Sequence, residues 1–143
     1  MFMKAQTIPE ADVQVEILEG LNARRIGFFW RCNNAGIFDA KKGVYRRPSK
    51  FSIKGVSDIL GVLNGKSIAI EVKSKDEYTW VMNFLERVEK VGVLKYLPTS
   101  AKEDHVFNQI LFLYTLRKNG GIGFFTYSLE HTLGELKEAF DED

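Results

Sequence analysis

The sequence predicts an α/β domain in which a small mixed β-sheet is flanked by helices. Three observations carry this expectation. Apolar residues recur at helical spacing in several stretches. Between those stretches lie short runs of strand length, rich in branched and aromatic residues. Two of these runs are separated by Asn64-Gly65, a pair that suits a two-residue hairpin turn because both positions tolerate positive φ.

Taken in chain order, Thr7-Ile8-Pro9-Glu10 reads as a helix start. Thr7 and Glu10 have the spacing of a capping box, and proline is tolerated in a first turn. Val13, Ile17, Leu18 and Leu21 then mark one helical face. Gly27 to Cys32 is apolar and aromatic and predicts a strand, with Phe28, Phe29 and Trp30 assigned to the core. Asn33-Asn34-Ala35-Gly36 is turn material and completes no phosphate-binding signature. The stretch from Asp39 to Lys54 is irregular, with a short strand at Val44-Tyr45. Val56 to Leu63 and Ser67 to Lys73 form the predicted hairpin. Tyr78 to Val91 has helical spacing, with Gly92 as its stop, and Val93 to Leu97 reads as a short strand. Ser100 and Glu103 repeat the capping-box pattern ahead of a helix that ends near Lys118, before Asn119-Gly120-Gly121. Ile122 to Tyr127 is a strand, and Ser128 caps a last helix carrying Leu133, Leu136 and Phe140.

Composition narrows the function classes. The chain has 143 residues, which suits a single domain spanning 1–143. It is 45% hydrophobic and 27% charged, ordinary values for a globular protein. The first residues form no apolar leader, and no apolar run is long enough to span a bilayer, so no membrane partner is expected. Cys32 is the single cysteine and has no partner for an internal disulfide; a reducing, cytoplasmic setting is expected. Cys32, His105 and His131 share no metal-ligand spacing, which argues against a zinc site. The net charge is only +1, but it is unevenly spread. Between Asn22 and Lys54 stand Arg24, Arg25, Arg31, Lys41, Lys42, Arg46, Arg47, Lys50 and Lys54 against Asp39 alone. Segregated charge of this kind favours a polyanionic partner.

The chemistry sits around the hairpin. Gly55-Val56-Ser57-Asp58-Ile59-Leu60-Gly61 leads into it, and Ile68-Ala69-Ile70-Glu71-Val72-Lys73 leaves it. Strand alternation puts Glu71 and Lys73 on one face, with Ile70 and Val72 on the other. The hairpin brings Asp58 within reach of Glu71. Two carboxylates and a lysine then meet among Ile, Val, Leu and Ala, where charge is costly without a partner. A hard divalent cation such as Mg²⁺ would be one, held by Asp58, Glu71 and the main-chain carbonyl of Val72. Phosphodiester hydrolysis fits this set: the cation polarises a phosphate oxygen and acidifies a water, and Lys73 orients that water or offsets developing charge. A cross-strand salt bridge on a solvated hairpin is the competing reading of so short a pattern.

Further blocks appear in order along the chain. They are Glu10-x-x-Val13-Gln14-x-x-Ile17-Leu18-x-x-Leu21, then Phe29-Trp30-Arg31-x-Asn33-x-x-Gly36-x-Phe38, then the two hairpin segments through Ser74. Gln109-x-x-Phe112-Leu113, Gly120-Gly121-Ile122-Gly123-Phe124 and Ser128-Leu129-Glu130 complete the set. Together they resemble the VRR-NUC domain, the virus-type replication-repair branch of the PD-(D/E)XK nucleases, from about Glu10 to Leu136. The resemblance implies a restriction-endonuclease-like core and an Mg²⁺- or Mn²⁺-dependent endodeoxyribonuclease. It implies catalytic roles for Asp58, Glu71 and Lys73, a metal-supporting role for Glu10, and a site role for Gln109. Arg31, Lys41, Lys42, Arg46, Arg47 and Lys54 are the expected DNA contacts. Stand-alone members of that family resemble homodimers acting on branched DNA such as four-way (Holliday) junctions, in bacterial or phage-infected cells. The chain departs from the pattern in one place. About residues 75–103 intervene before the glutamine helix, an insert that could pack on the domain, form a subunit interface or wedge into DNA. The alternatives are a catalytically idle nucleic-acid-binding domain and a less selective nickase.

Overall fold

The computed structural model describes residues 8–32, 38–45 and 53–141. Helix α1, Glu10–Ala23, leads into β1, Phe28–Arg31, followed by the short pair β2, Phe38–Asp39, and β3, Val44–Tyr45. The hairpin is β4, Ile59–Leu63, and β5, Lys66–Val72; then come α2, Lys75–Val91, α3, Ala101–Lys118, β6, Ile122–Thr126, and α4, Leu129–Asp141. The main sheet has the order β1-β4-β5-β6, antiparallel except for the parallel β5–β6 pair, while β2 and β3 pair only with each other. This is the expected α/β architecture of a small mixed sheet flanked by helices.

Alternation along β5 divides the core. Ile68, Ile70 and Val72 pack with Val13, Ile17 and Leu21 of α1 and Leu136 of α4. Ala69 packs on the opposite face with Val81, Phe84 and Val88 of α2 and Val106, Ile110 and Leu113 of α3. A strand buried on both faces reads as a continuous apolar run, and that is how β5 reads from Ile68 to Val72 except at Glu71. The hairpin turns as its sequence demands: Asn64 and Gly65 have φ of 51° and 80°, and Leu63 pairs with Lys66.

Several boundaries differ from expectation. Helix α1 begins at Glu10 with Pro9 as its N-cap and no side-chain cap, so Glu10 is the first helical residue and not the third residue of a capping box; Thr7 lies outside the described residues. Helix α2 starts three residues early, because Ser74 Oγ accepts from the Glu77 N–H (3.3 Å) and Asp76 and Glu77 favour the positive end of the helix. Val93 to Leu97 is no strand. Gly92 O accepts from the N–H groups of Lys95 (2.9 Å) and Tyr96 (3.0 Å), which folds the segment into a turn that pairs with no strand among the described residues. Ser100 does cap α3, accepting from the Glu103 N–H at 3.1 Å. The Glu103 carboxylate turns away from a reciprocal box and accepts from Tyr96 Oη (2.6 Å) and the Thr99 N–H (3.2 Å). Ser128 caps α4 through the His131 N–H (3.0 Å).

The segment expected to be an insert is part of the core. Phe84 is fully buried, and an aromatic series runs Trp80–Phe84–Tyr96–Phe107 with centroid separations of 5.2, 5.5 and 5.8 Å. Of the aromatic residues of β1, only Phe29 is buried; Phe28 and Trp30 point to the face that α3 leaves open. The expectation that all three fill the core is corrected, and the reason is topological. Helix α3 packs over β5 and β6, while β1 lies two strands further out at the sheet edge. No helix among the described residues is long and apolar enough to cross a membrane.

Candidate active site

The ladder between β4 and β5 runs from Leu63↔Lys66 to Ile59↔Ile70. One step further the register sets Asp58 opposite Glu71, and there the side chain of Asp58 takes over from the backbone. Its Oδ2 accepts from the Val72 N–H at 2.9 Å, while its carbonyl accepts from the Cys32 N–H at 2.7 Å. Asp58 is thereby fixed on both sides at the end of the hairpin. Glu71 and Lys73 follow on the face that carries Ala69, and both are buried. The Lys73 N–H donates to Thr126 O at 2.8 Å, so the backbone of β6 sets the position of the lysine.

Glu71 is the electrostatic centre. One carboxylate oxygen, Oε1, accepts from Gln109 Nε2 at 2.9 Å. The other, Oε2, is buried with no hydrogen-bond partner, as is Gln109 Oε1. Burial, followed by the nearby charge of Asp58, pushes the Glu71 carboxyl up from 4.5 to about 10; Lys73 opposes the shift and Glu10 adds to it. Burial and the neighbouring Asp58 carboxylate thus both favour the protonated form of Glu71.

The donor chemistry suits a hard divalent cation. Glu71 Oε2 and Gln109 Oε1 are buried oxygens lacking donors, and a cation satisfies such lone pairs where a neighbouring acceptor cannot. Among the described residues no three His, Cys, Asp or Glu side chains converge to hold a metal by themselves. The donor set is thus a carboxylate pair to be completed by backbone oxygen and water, a set that fits Mg²⁺, which keeps much of its hydration. Glu10 is exposed, and its charge adds to the upward push on the Glu71 carboxyl.

The expected contact residues divide. Arg31 is exposed, but its Nη2 donates to Ala11 O in α1 at 3.3 Å, so it ties β1 to the first turn of that helix. Lys41 and Lys42 are exposed on the turn between β2 and β3. Lys54 is exposed and, with Ile53, Phe112 and Leu116, lines an apolar groove of about 470 Å³ beside α3. Arg46 and Arg47 lie outside the described residues. Ser57, to which no separate role was assigned, is fully buried with an unpaired Oγ beside Asp58. Gly55 explains that position. Its φ is 77°, and a Cβ there would collide with the carbonyl of Asn108, so only glycine lets the approach to Asp58 lie flat on α3 next to Gln109. His105, one turn before Gln109, stands 3.5 Å from Gln109 Nε2; its i, i+4 spacing was the available signal.

Protein-family models, curated proteins and solved structures were all compared with the chain, and none matches it.

Proposed function

We propose that the protein is an Mg²⁺- or Mn²⁺-dependent endodeoxyribonuclease of the PD-(D/E)XK type, with Asp58, Glu71 and Lys73 as its catalytic set. The observation that carries this reading is the half-buried Asp58 carboxylate beside the buried Glu71, whose Oε2 lacks any donor and whose carboxyl is pushed up to about 10. A structural salt bridge has no use for two adjoining carboxylates, one of them buried. A cation site does, since the cation lets both ionise.

When bound, the cation supplies Lewis-acid activation of phosphate and water. The chain's own residues do the rest. Asp58 and Glu71, with the Val72 carbonyl, would hold the cation; Gln109 fixes the rotamer of Glu71 through Oε1; Glu10 would order a water at the open side. Lys73 carries a positive charge beside the pair, suited to orienting the attacking water and offsetting charge on the phosphate.

Branched DNA, four-way junctions in particular, is the proposed substrate, cut by a homodimer in a bacterial or phage-infected cytoplasm. The basic segment from Asn22 to Lys54 supports a DNA partner, and two-fold symmetry matches a junction. Labelled linear, flapped and four-way DNA incubated with Mg²⁺, Mn²⁺ or EDTA tests the reading. Metal-dependent cleavage that Glu71→Gln abolishes is expected. Retained DNA binding with no cleavage under either metal would leave an idle binding domain instead.

A further inference from the structure

The sheet face that carries the candidate active site continues beyond it. By the registers of β1–β4 and β4–β5, residues sharing that face fall into rows: Cys32, Asp58 and Glu71; then Trp30, Leu60 and Ala69; then Phe28, Val62 and Ser67. Helix α3 covers this face over β5 and β6 but not over β1. Phe28 is 71% exposed, Trp30 41% and Val62 42%. The two rings lie side by side, centroids 5.5 Å apart and tilted by 46°. A large apolar surface left open on a small domain marks a contact site, whereas scattered exposed residues do not.

We propose that Phe28 and Trp30 form a stacking platform for unpaired bases of a DNA strand whose phosphate backbone leads to the Asp58–Glu71 pair. The inference rests on the nucleic-acid part of the function proposed above and adds that the substrate must offer unpaired bases. Geometry supports it. Trp30 lies one row from the carboxylates and two strands across from Glu71, about 7 Å along and about 10 Å across at ordinary strand spacings. That diagonal is within the reach of a few nucleotides of extended strand. Charge complementarity selects the occupant. The platform belongs to the chain segment whose cations are opposed by Asp39 alone, and Lys54 of that segment is exposed beside α3, the helix that covers the neighbouring strands of this face. Aromatic faces beside a cationic track are the recurring means of binding single strands without reading their sequence. A duplex offers no open base face to such a platform, whereas a branch point or a flap does.

The test uses the full chain in EDTA, so that cleavage does not intervene. Trp80 is the only other tryptophan and packs against Phe84, so Trp80→Phe leaves Trp30 as the sole reporter. Oligothymidylate should quench Trp30 fluorescence in that background, and a blunt duplex should not. Phe28→Ala and Trp30→Ala should each weaken oligothymidylate binding about tenfold, in line with measured base–aromatic stacking, and leave duplex binding unchanged. Trp30→Phe, which keeps a ring, should bind close to the parent and separates stacking from misfolding. Equal affinity of Phe28→Ala, Trp30→Ala and parent for oligothymidylate would overturn the platform alone. Absence of binding to any nucleic acid would overturn it together with the proposed function. Strand binding with quenching but no cleavage under either metal would uphold the platform and reject the nuclease. A dimer that Trp30→Ala dissociates, with fluorescence indifferent to oligothymidylate, would assign the face to a second copy of the chain and overturn stacking.

Discussion

Gln109 Nε2 donates to Glu71 Oε1 across 2.9 Å, joining two buried residues 38 positions apart in the chain. Gln109→Ala removes the donor and leaves that oxygen unpaired inside the fold. The expected cost is about 1–3 kcal/mol of stability, measured by urea unfolding in EDTA. Cleavage should fall as well, because Glu71 is free to leave its rotamer. Unchanged unfolding would show that the bond has no stabilising role.

Glu71 makes stability depend on pH in an unusual direction. Its folded-state value, about 10, lies above the ordinary 4.5, so between these values the folded protein keeps a proton that the unfolded chain has lost. The stabilising contribution is complete below 4.5 and is lost as pH rises toward 10, at no more than about 1.4 kcal/mol per pH unit. Glu71→Gln carries no such proton. In EDTA it should be the more stable protein at neutral pH and above, and the gap should close in acid. A gap that stays constant with pH would refute this origin.

Cation binding must displace the same proton. Mg²⁺ or Mn²⁺ affinity should therefore strengthen with pH across that window, by up to about tenfold per unit for one proton released. Calorimetry in two buffers of different ionisation enthalpy reads the proton directly. Binding without proton release would place the cation elsewhere.

Lys73 should separate binding from chemistry. Lys73→Ala, and Lys73→Met, which keeps most of the buried stem, should retain metal and DNA affinity yet lose cleavage about a hundred- to thousandfold, the usual scale for one electrostatic stabiliser. Near-parental cleavage by Lys73→Met would remove the lysine from the catalytic set.

The cations of the Asn22–Lys54 segment should carry much of the DNA affinity. Arg46→Ala combined with Arg47→Ala should flatten the dependence of log K on log salt by up to about one unit per lost phosphate contact. An unaltered slope would show that they face away from DNA. A homodimer, if it forms, should bury more than about 1,000 Å². Phe84 is unavailable to it, being buried within one chain, and Trp80 is occupied by Phe84 and by Lys102, whose Nζ sits 4.1 Å above its ring. Light scattering that gives 16.3 kDa with and without junction DNA would reject the dimer.

Local signals proved legible where one residue type dictates one backbone state. Asn64-Gly65 announced its turn, and strand alternation put Glu71 and Lys73 on one face. Gln109 was legible only through the resemblance, because a helix pattern alone does not tell which polar residue turns inward. Trp30 and Phe28 misled, since an aromatic run says that a strand forms but not whether both its faces are covered. Arg31 was legible only as a cation on a strand, which does not reveal that a helix carbonyl, Ala11 O, stands 3.3 Å from its guanidinium. Val93 to Leu97 had the composition of a strand and lacked only a neighbour to pair with, which no local pattern reports.

The hold of Thr126 on the Lys73 N–H has a consequence for the protein's synthesis. A ribosome makes Asp58, Glu71 and Lys73 early and Thr126 late. A nascent chain that ends before β6 contains every catalytic side chain proposed here, but lacks the strand that fixes the lysine. Until that strand docks, the Lys73 N–H lacks the carbonyl that sets its place beside the carboxylates. On the proposed function, cleavage would arrive only as a late event of folding.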